Sequence, residues 1–194
     1  MNIYPVLPLR NTVLFPNQII PIYIGRKQSL NLVNDISKLE DKTIIVVAQK
    51  DGTVELPKSD DFYNVGTLAT VMKIFDMPDE SKSAIVKGIR RVNIGDYNQV
   101  DPYFRSSFTE IKEELGDTEE MDALCANLKS MFSGLIEIAP YLSEEQANLL
   151  INIQEPSKIA DKAISVMNIQ TAEKQKILEE FDINSISISR YGPS

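Results

Sequence analysis

Between residues 4 and 24, short apolar runs alternate with prolines: Pro5, Pro8, Pro16 and Pro21 punctuate Val6-Leu7, Val13-Leu14-Phe15 and Ile19-Ile20. Proline has no amide N–H to give to a ladder, so these runs are predicted as short strands at sheet edges or ends, joined by rigid turns. Gly25 stops the extended run. Leu30, Val33, Ile36 and Leu39 then recur at helical spacing, which predicts a helix over 27–39. Thr43 to Ala48 (TIIVVA) is a β-branched run that reads as a buried strand. Residues 52–63 are polar and irregular, a loop. Residues 65–75 and 83–94 are β-rich around the polar stretch 76–82, a pattern that predicts a long hairpin. A further strand, alternating imperfectly, is expected over 103–113.

The period changes after Asp117. Met121, Leu124, Cys125, Leu128, Phe132 and Leu135 trace one helical face, with Asp117 and Glu120 placed as N-cap and reciprocal partner. Ser143 and Gln146 offer a second capping box for a short helix through Leu150. Pro156 suits the first turn of a third helix with Ile159, Ala160, Ala163, Ile164 and Met167 inward. Thr171 is placed to cap a fourth, with Ile177, Leu178 and Phe181 inward. The chain is therefore expected to be α+β: a β-rich subdomain over 1–115, a helical bundle over 116–183, and a frayed or appended tail over 184–194.

Charge sharpens this division. Residues 1–105 carry 12 acidic and 13 basic side chains, whereas 106–194 carry 16 and 7, within a net charge of −8. So acidic a chain is a poor nucleic-acid ligand, because neutralising phosphates needs a cationic surface. Lys87, Arg90 and Arg91 form the densest basic group in a strand, read as an exposed strand face or as a contact for an acidic partner. No run approaches ~18 apolar residues, and MNIYPVLPLR lacks a signal-peptide pattern, so no membrane segment and a cytoplasmic location are expected. A single cysteine, Cys125, rules out an intramolecular disulfide and reads as core packing on its apolar stripe.

Candidate chemistry is sparse. The absence of histidine removes the Ser-His-Asp and Cys-His mechanisms and the commonest metal ligand. Neither GxxxxGK[ST] nor GxGxxG occurs, so no nucleotide site, metal site or cofactor is expected. Asp60-Asp61 and Glu119-Glu120 are adjacent pairs that point in different directions. Asp76, Asp79 and Glu80 lack the spacing and glycine of a calcium loop and read as solvated turn residues. A Ser–Lys dyad is not singled out by any pair. The expectation is a binding module without catalytic residues.

Pro5-Val6-Leu7-Pro8-Leu9-Arg10, the proline-ended run through Phe15-Pro16, and Ile20-Pro21-Ile22 leading to Gly25-Arg26 and Ser29 resemble the opening of the N-terminal domain of Lon-type ATP-dependent proteases. Further matches are Ala48-Gln49-Lys50, Val65-Gly66-Thr67 with Ala69, Val86-Lys87-Gly88 through Arg91, Pro156 through Asp161 and Lys174 through Glu179. The resemblance covers residues 5–183. It implies a β-rich pseudo-barrel followed by a helical bundle, and a role in holding unfolded or tagged proteins while AAA+ and protease modules of a longer chain bind ATP and cut peptides. Two departures stand out. Met77-Pro78-Asp79-Glu80 replaces the family's L-P-D-G hairpin tip, and the chain after Asp182 turns to an Ile/Ser tail, as in a cut chain or a free-standing domain of this type. The substrate surface expected here is Phe15, Pro16, Ile20 and Pro21, with Arg26 and Lys27 at the adjoining helix start. Self-association or adaptor docking through the acidic helical part is the alternative role.

Overall fold

The protein is described from a computed structural model, which places residues 3–111, Ala126, Ser130 and 170–179. The chain divides into two compact units, Met1–Ile111 and Lys112–Ser194. The first contains β1 (Ile3–Leu9), β2 (Ile19–Ile24), α1 (Lys27–Ile36), β3 (Thr43–Ala48), β4 (Val65–Asp76), β5 (Lys82–Gln99) and β6 (Arg105–Glu110), with a 3-10 turn at Ser59–Asp61. The second contributes α2 (Thr171–Glu179), in which Leu178 is buried. Gln170 O accepts from Lys174 N (3.1 Å), so Thr171 is the first helical residue rather than the cap. The other helices expected beyond residue 115, the 184–194 tail and Cys125 lie outside the described residues.

The six strands form one sheet in the order β2-β5-β4-β3-β1-β6, and β5 also pairs with β6, so five strands close on themselves. The 18-residue β5 makes this closure. One edge pairs with β4; the other pairs first with β2, from Lys82 to Lys87, and then with β6, from Val92 to Gln99. Two β-bulges lie in the β4–β5 ribbon, at Ile89 and at Met72, where the register skips a residue. Between the two partners of β5, Gly88 carries the crossing segment 15–18: Asn17 N donates to Gly88 O and Gly88 N to Gln18 O, both at 2.9 Å. A Cβ at Gly88 would stand 2.2 Å from Phe15 O, so only glycine admits the crossing.

Two apolar clusters fill the β unit. One packs Leu32, Val33 and Ile36 of α1 against Leu7, Leu9, Ile22, Ile24, Ile44, Val46, Ala69, Val71, Ala84 and Val86. The other joins Val6, Ile45, Val47, Leu68 and Val92 to Phe62 and Phe104. Alternate residues of β3 enter opposite clusters, which is why that strand is a continuous apolar run rather than an alternating one. In the second cluster Phe62 meets Phe104 edge-on, with ring centroids 5.0 Å apart. Tyr97 packs against both rings, and burial pushes its hydroxyl pKa up to about 12.

Several expectations are corrected. The helix ends at Ile36 and leaves Leu39 exposed, while Leu32, off the expected stripe, is fully buried. Val13-Leu14-Phe15 is not a strand; it is a buried crossing, with Thr67 Oγ1 donating to Leu14 O (2.7 Å). The polar 52–63 loop supplies a core residue, Phe62. β1 is an inner strand despite two prolines, because it pairs with β6 through Pro5 and with β3 from Val6 onward, so each proline has one free side. Arg91 is buried, unlike its exposed neighbours Lys87 and Arg90. Arg90 reaches Glu110 at 2.9 Å across the β5–β6 pair, an exposed ion pair worth little.

The hairpin tip resolves the missing glycine: Glu80 adopts φ 66°, the left-handed conformation that glycine takes without penalty. Glu80→Gly is expected to stabilise the chain by about 0.5–1 kcal/mol, seen as a higher urea midpoint at unchanged slope. Gly88→Ala is expected to cost about 2–3 kcal/mol by the same measurement, because the added methyl group must displace backbone.

Candidate functional site

The β4–β5 ribbon is covered unevenly. On the face that carries Gly66, Leu68 and Val92, the half near the closure is buried under the second core cluster. The same face continues past the bulges toward the hairpin tip, and there, among the described residues, no layer lies over it. Register places Pro21, Ile85 and Lys73 in one cross-strand row and Tyr23, Ser83 and Phe75 in the next. Ile19 and Lys87 form the row on the other side. Tyr23 is 67% exposed, Met72 55%, Ile19 52% and Phe75 41%, an unusual density of apolar side chains facing water. Lys73 Nζ lies 4.8 Å from the centre of the Phe75 ring. At the margin Tyr23 Oη donates to Asp79 Oδ2 (3.3 Å), and hydrogen bonds from the hydroxyl and amide of Ser81 hold the Asp79 carboxyl below the usual carboxylate range.

β2 is an edge strand, as Pro21 predicts. Gly88 N bonds Gln18 O, and the unbroken register from Ile19 to Ile24 then turns the backbone groups of Ile20, Ile22 and Ile24 toward β5. Those of Ile19, Pro21 and Tyr23 face the outer edge, where Pro21 removes the middle donor. That edge is a poor template for an added strand.

A cleft of about 860 Å³ adjoins the face and shares Pro21 and Tyr23 with it. Its wall includes Leu7 to Arg10, Gly25 to Ser29, Leu56, Pro57 and Pro102. The first turn of α1 opens on it and holds no acidic residue. Arg26 is clamped at the wall. Its Nη2 donates to Pro8 O (3.0 Å) and its Nη1 to Gln49 Oε1, while Gln49 Nε2 donates to the carbonyls of Asp51 and Val54 (both 3.0 Å). Gln49 N donates to Leu9 O, so the Leu9 carbonyl faces β3 and that of Pro8 faces away, toward Arg26. Burial, and then the nearby charge of Arg10, lowers the Arg26 pKa, which still leaves the guanidinium charged.

The residues matched by the family model of the ATP-dependent protease La (LON) substrate-binding domain are 3–185. The chain belongs to the LON substrate-binding domain family. It is 37% identical over 181 residues to a Lon protease of Koribacter versatilis, covering 92% of this chain and 22% of the relative. It is 33% identical over 182 residues to a Lon protease of Dictyoglomus thermophilum, covering 94% and 23%. The chain thus spans less than a quarter of the length of these relatives. Among solved structures, the N-terminal domain of a Mycobacterium avium complex Lon protease superposes with TM-score 0.75 at 21% identity, covering 95% of this chain and 93% of that one. A Lon N-terminal domain protein from Xanthomonas campestris gives 0.64 at 16%, covering 94% and 93%. These two likenesses concern the fold.

The motif segments of the resemblance come together in space. Pro8, Arg26 and Gln49 come from three separate motif segments and meet in one hydrogen-bonded clamp. The residues expected to form a substrate surface divide. Phe15 is 1% exposed and Pro16 is buried, so both leave the surface: they form the crossing beneath Gly88. Ile20 turns inward against the first core cluster. Pro21 and Lys27 are exposed, and Arg26 is half-buried in the cleft. Sequence reasoning missed Ile19, Tyr23, Met72, Phe75 and Ile85; alternation in β2 is a signal for Ile19 and Tyr23 alone, and which parity faces water depends on β5. Among the described residues, no group of three or more acidic or cysteine side chains could hold a metal ion, and no helix is long and apolar enough to cross a membrane.

Arg26→Ala should cost about 2–3 kcal/mol, since it orphans the Pro8 carbonyl and the Gln49 amide oxygen. Arg26→Lys should recover little, because an ammonium cannot fork to both acceptors. Chemical unfolding of the three proteins measures this.

Proposed function

We propose that this LON substrate-binding domain holds unfolded or otherwise extended polypeptide on the exposed face of β2, β5 and β4, with Pro21, Arg26 and Lys27 at the adjoining cleft. The observation that carries the reading is the uncovered continuation of a core face, with Tyr23, Ile85 and Phe75 in adjacent rows. Membership of the family supports it. The outer edge of β2 lacks its central donor at Pro21, which favours side-chain capture on a face over strand addition. An apolar face with few fixed polar groups suits loose sequence preference, as a domain that meets many unfolded chains requires.

In this reading the chain performs no chemistry itself. Its relatives are named as Lon proteases and are more than four times its length, so ATP hydrolysis and peptide cleavage are assigned to modules beyond these 194 residues. Residues 116–183 are proposed to form the helical bundle, as their helical period suggests. The cytoplasm is the proposed compartment.

Titration of the chain with a permanently unfolded protein such as reduced carboxymethylated casein should show saturable binding by fluorescence anisotropy. Tyr23→Ser combined with Phe75→Ser should raise Kd at least tenfold, about 1.4 kcal/mol or more, with a melting temperature close to that of the parent. Equal affinity of the double variant contradicts this placement. Absence of binding by the parent chain contradicts the holding role.

A further inference from the structure

We infer that the cleft beside the apolar face seats an acidic side chain, Asp or Glu, of the polypeptide held there; this rests on the polypeptide-holding reading above and names the class of segment it favours. Among the described residues, three cations line the cleft: Arg10, Arg26 and Lys27. Arg26 is held in place by Pro8 and Gln49, whereas the side chains of Arg10 and Lys27 are exposed and make no hydrogen bond or ion pair among the described residues. Two carboxylates, Glu55 and Asp101, also line the wall, but neither forms an ion pair with these cations. Arg10 is near enough for its charge to act on the half-buried Arg26. Two guanidiniums and an ammonium around one partly desolvated space favour an anion, and a planar fork matches a carboxylate best.

The rest of the surface agrees on the sign of the ligand. Pro21 and Tyr23 belong both to the cleft wall and to the apolar face, so face and cleft adjoin at these two residues. Leu56 stands at the cleft wall 85% exposed, with no role in either core cluster. Among the described residues the charges within the face are Lys73 and Lys87, both basic; the acidic residues Asp76 and Asp79 sit at the hairpin margin, engaged with Lys82 and with Tyr23 and Ser81. An apolar stretch followed by Asp or Glu complements this layout, and an apolar stretch followed by Lys opposes it.

The test uses one apolar peptide, acetylated and amidated, carrying Glu, Gln or Lys after the apolar stretch, titrated onto the whole 194-residue chain. The Glu peptide is expected to bind about five- to tenfold tighter than the Gln peptide, and the Lys peptide more weakly than either. Added salt should compress the differences. In a chain carrying Arg10→Gln with Lys27→Gln, the Glu and Gln peptides should bind alike, while Phe75→Ser should weaken both and keep their ratio. Equal binding of Glu and Gln peptides by the parent chain overturns the inference but leaves the holding role standing; failure of every peptide to bind overturns both. A preference that survives Arg10→Gln with Lys27→Gln also overturns it. So does a preference that follows a free C-terminal carboxylate on the Gln peptide rather than the Glu side chain.

Discussion

Everything in the β unit is organised by the change of partner along β5. A single strand pairs with β4 on one side and hands its other side from β2 to β6, and the hand-over occurs where Gly88 meets the Phe15–Gln18 crossing. That contact tolerates no side chain, so it fixes the height at which the crossing passes. It thereby sets where β2 begins and which residues of β2 face inward. The bulge at Ile89 sits beside it and shifts the alternation of β5 by one residue, so that Val86 and Val92, both even-numbered, serve opposite core clusters.

The face proposed to hold polypeptide follows from the same geometry. Closure by β6 buries one face of the β4–β5 ribbon only as far as the hand-over, and α1 covers the opposite face beyond it. The remaining quarter, toward the hairpin tip, has strands long enough to bury apolar side chains and no described layer to bury them against. An apolar surface left open in this way costs solubility, and the basic residues Lys73 and Lys87 within it moderate that cost while giving the surface a sign. The cleft alongside is built differently. Its Arg26 clamp ties β1, the start of α1 and the end of β3 together, and Arg10 and Lys27, whose side chains have no partner among the described residues, lie exposed along that wall.

The sequence showed its elements well where one residue type forces one outcome. TIIVVA reads as a strand buried on both faces, the polar 76–82 stretch as a hairpin tip, and Pro21 as an edge marker, and each of these is a local consequence of side-chain chemistry. The chain was harder to read where burial is decided by a distant partner. Phe15 and Pro16 look like an exposed proline-ended strand until Gly88, more than seventy residues away, is seen to receive them. Phe62 hides in a polar loop because its neighbours face water while its ring meets Phe104. Tyr23 and Phe75 could not be joined into a surface from sequence, since their proximity runs through Ser83 of β5 and through a bulge that no local pattern announces. Of the expected site residues, Pro21, Arg26 and Lys27 remain as candidates because their motif marks a strand end and a helix start; the clamp role of Arg26 needed the carbonyl direction of Pro8.

In the proposed function, extended polypeptide lies across the outer rows of β2, β5 and β4. Placing a photo-crosslinking phenylalanine derivative singly at Tyr23, Phe75 or Leu39, and irradiating with unfolded casein, tests this most directly. Tyr23 and Phe75 lie on the face, whereas Leu39, between them in exposure, is an apolar residue just past the end of α1. Casein adducts are expected from positions 23 and 75, competed away by unlabelled casein, and little from position 39. Adducts of equal yield from all three positions, or from position 39 alone, would contradict it.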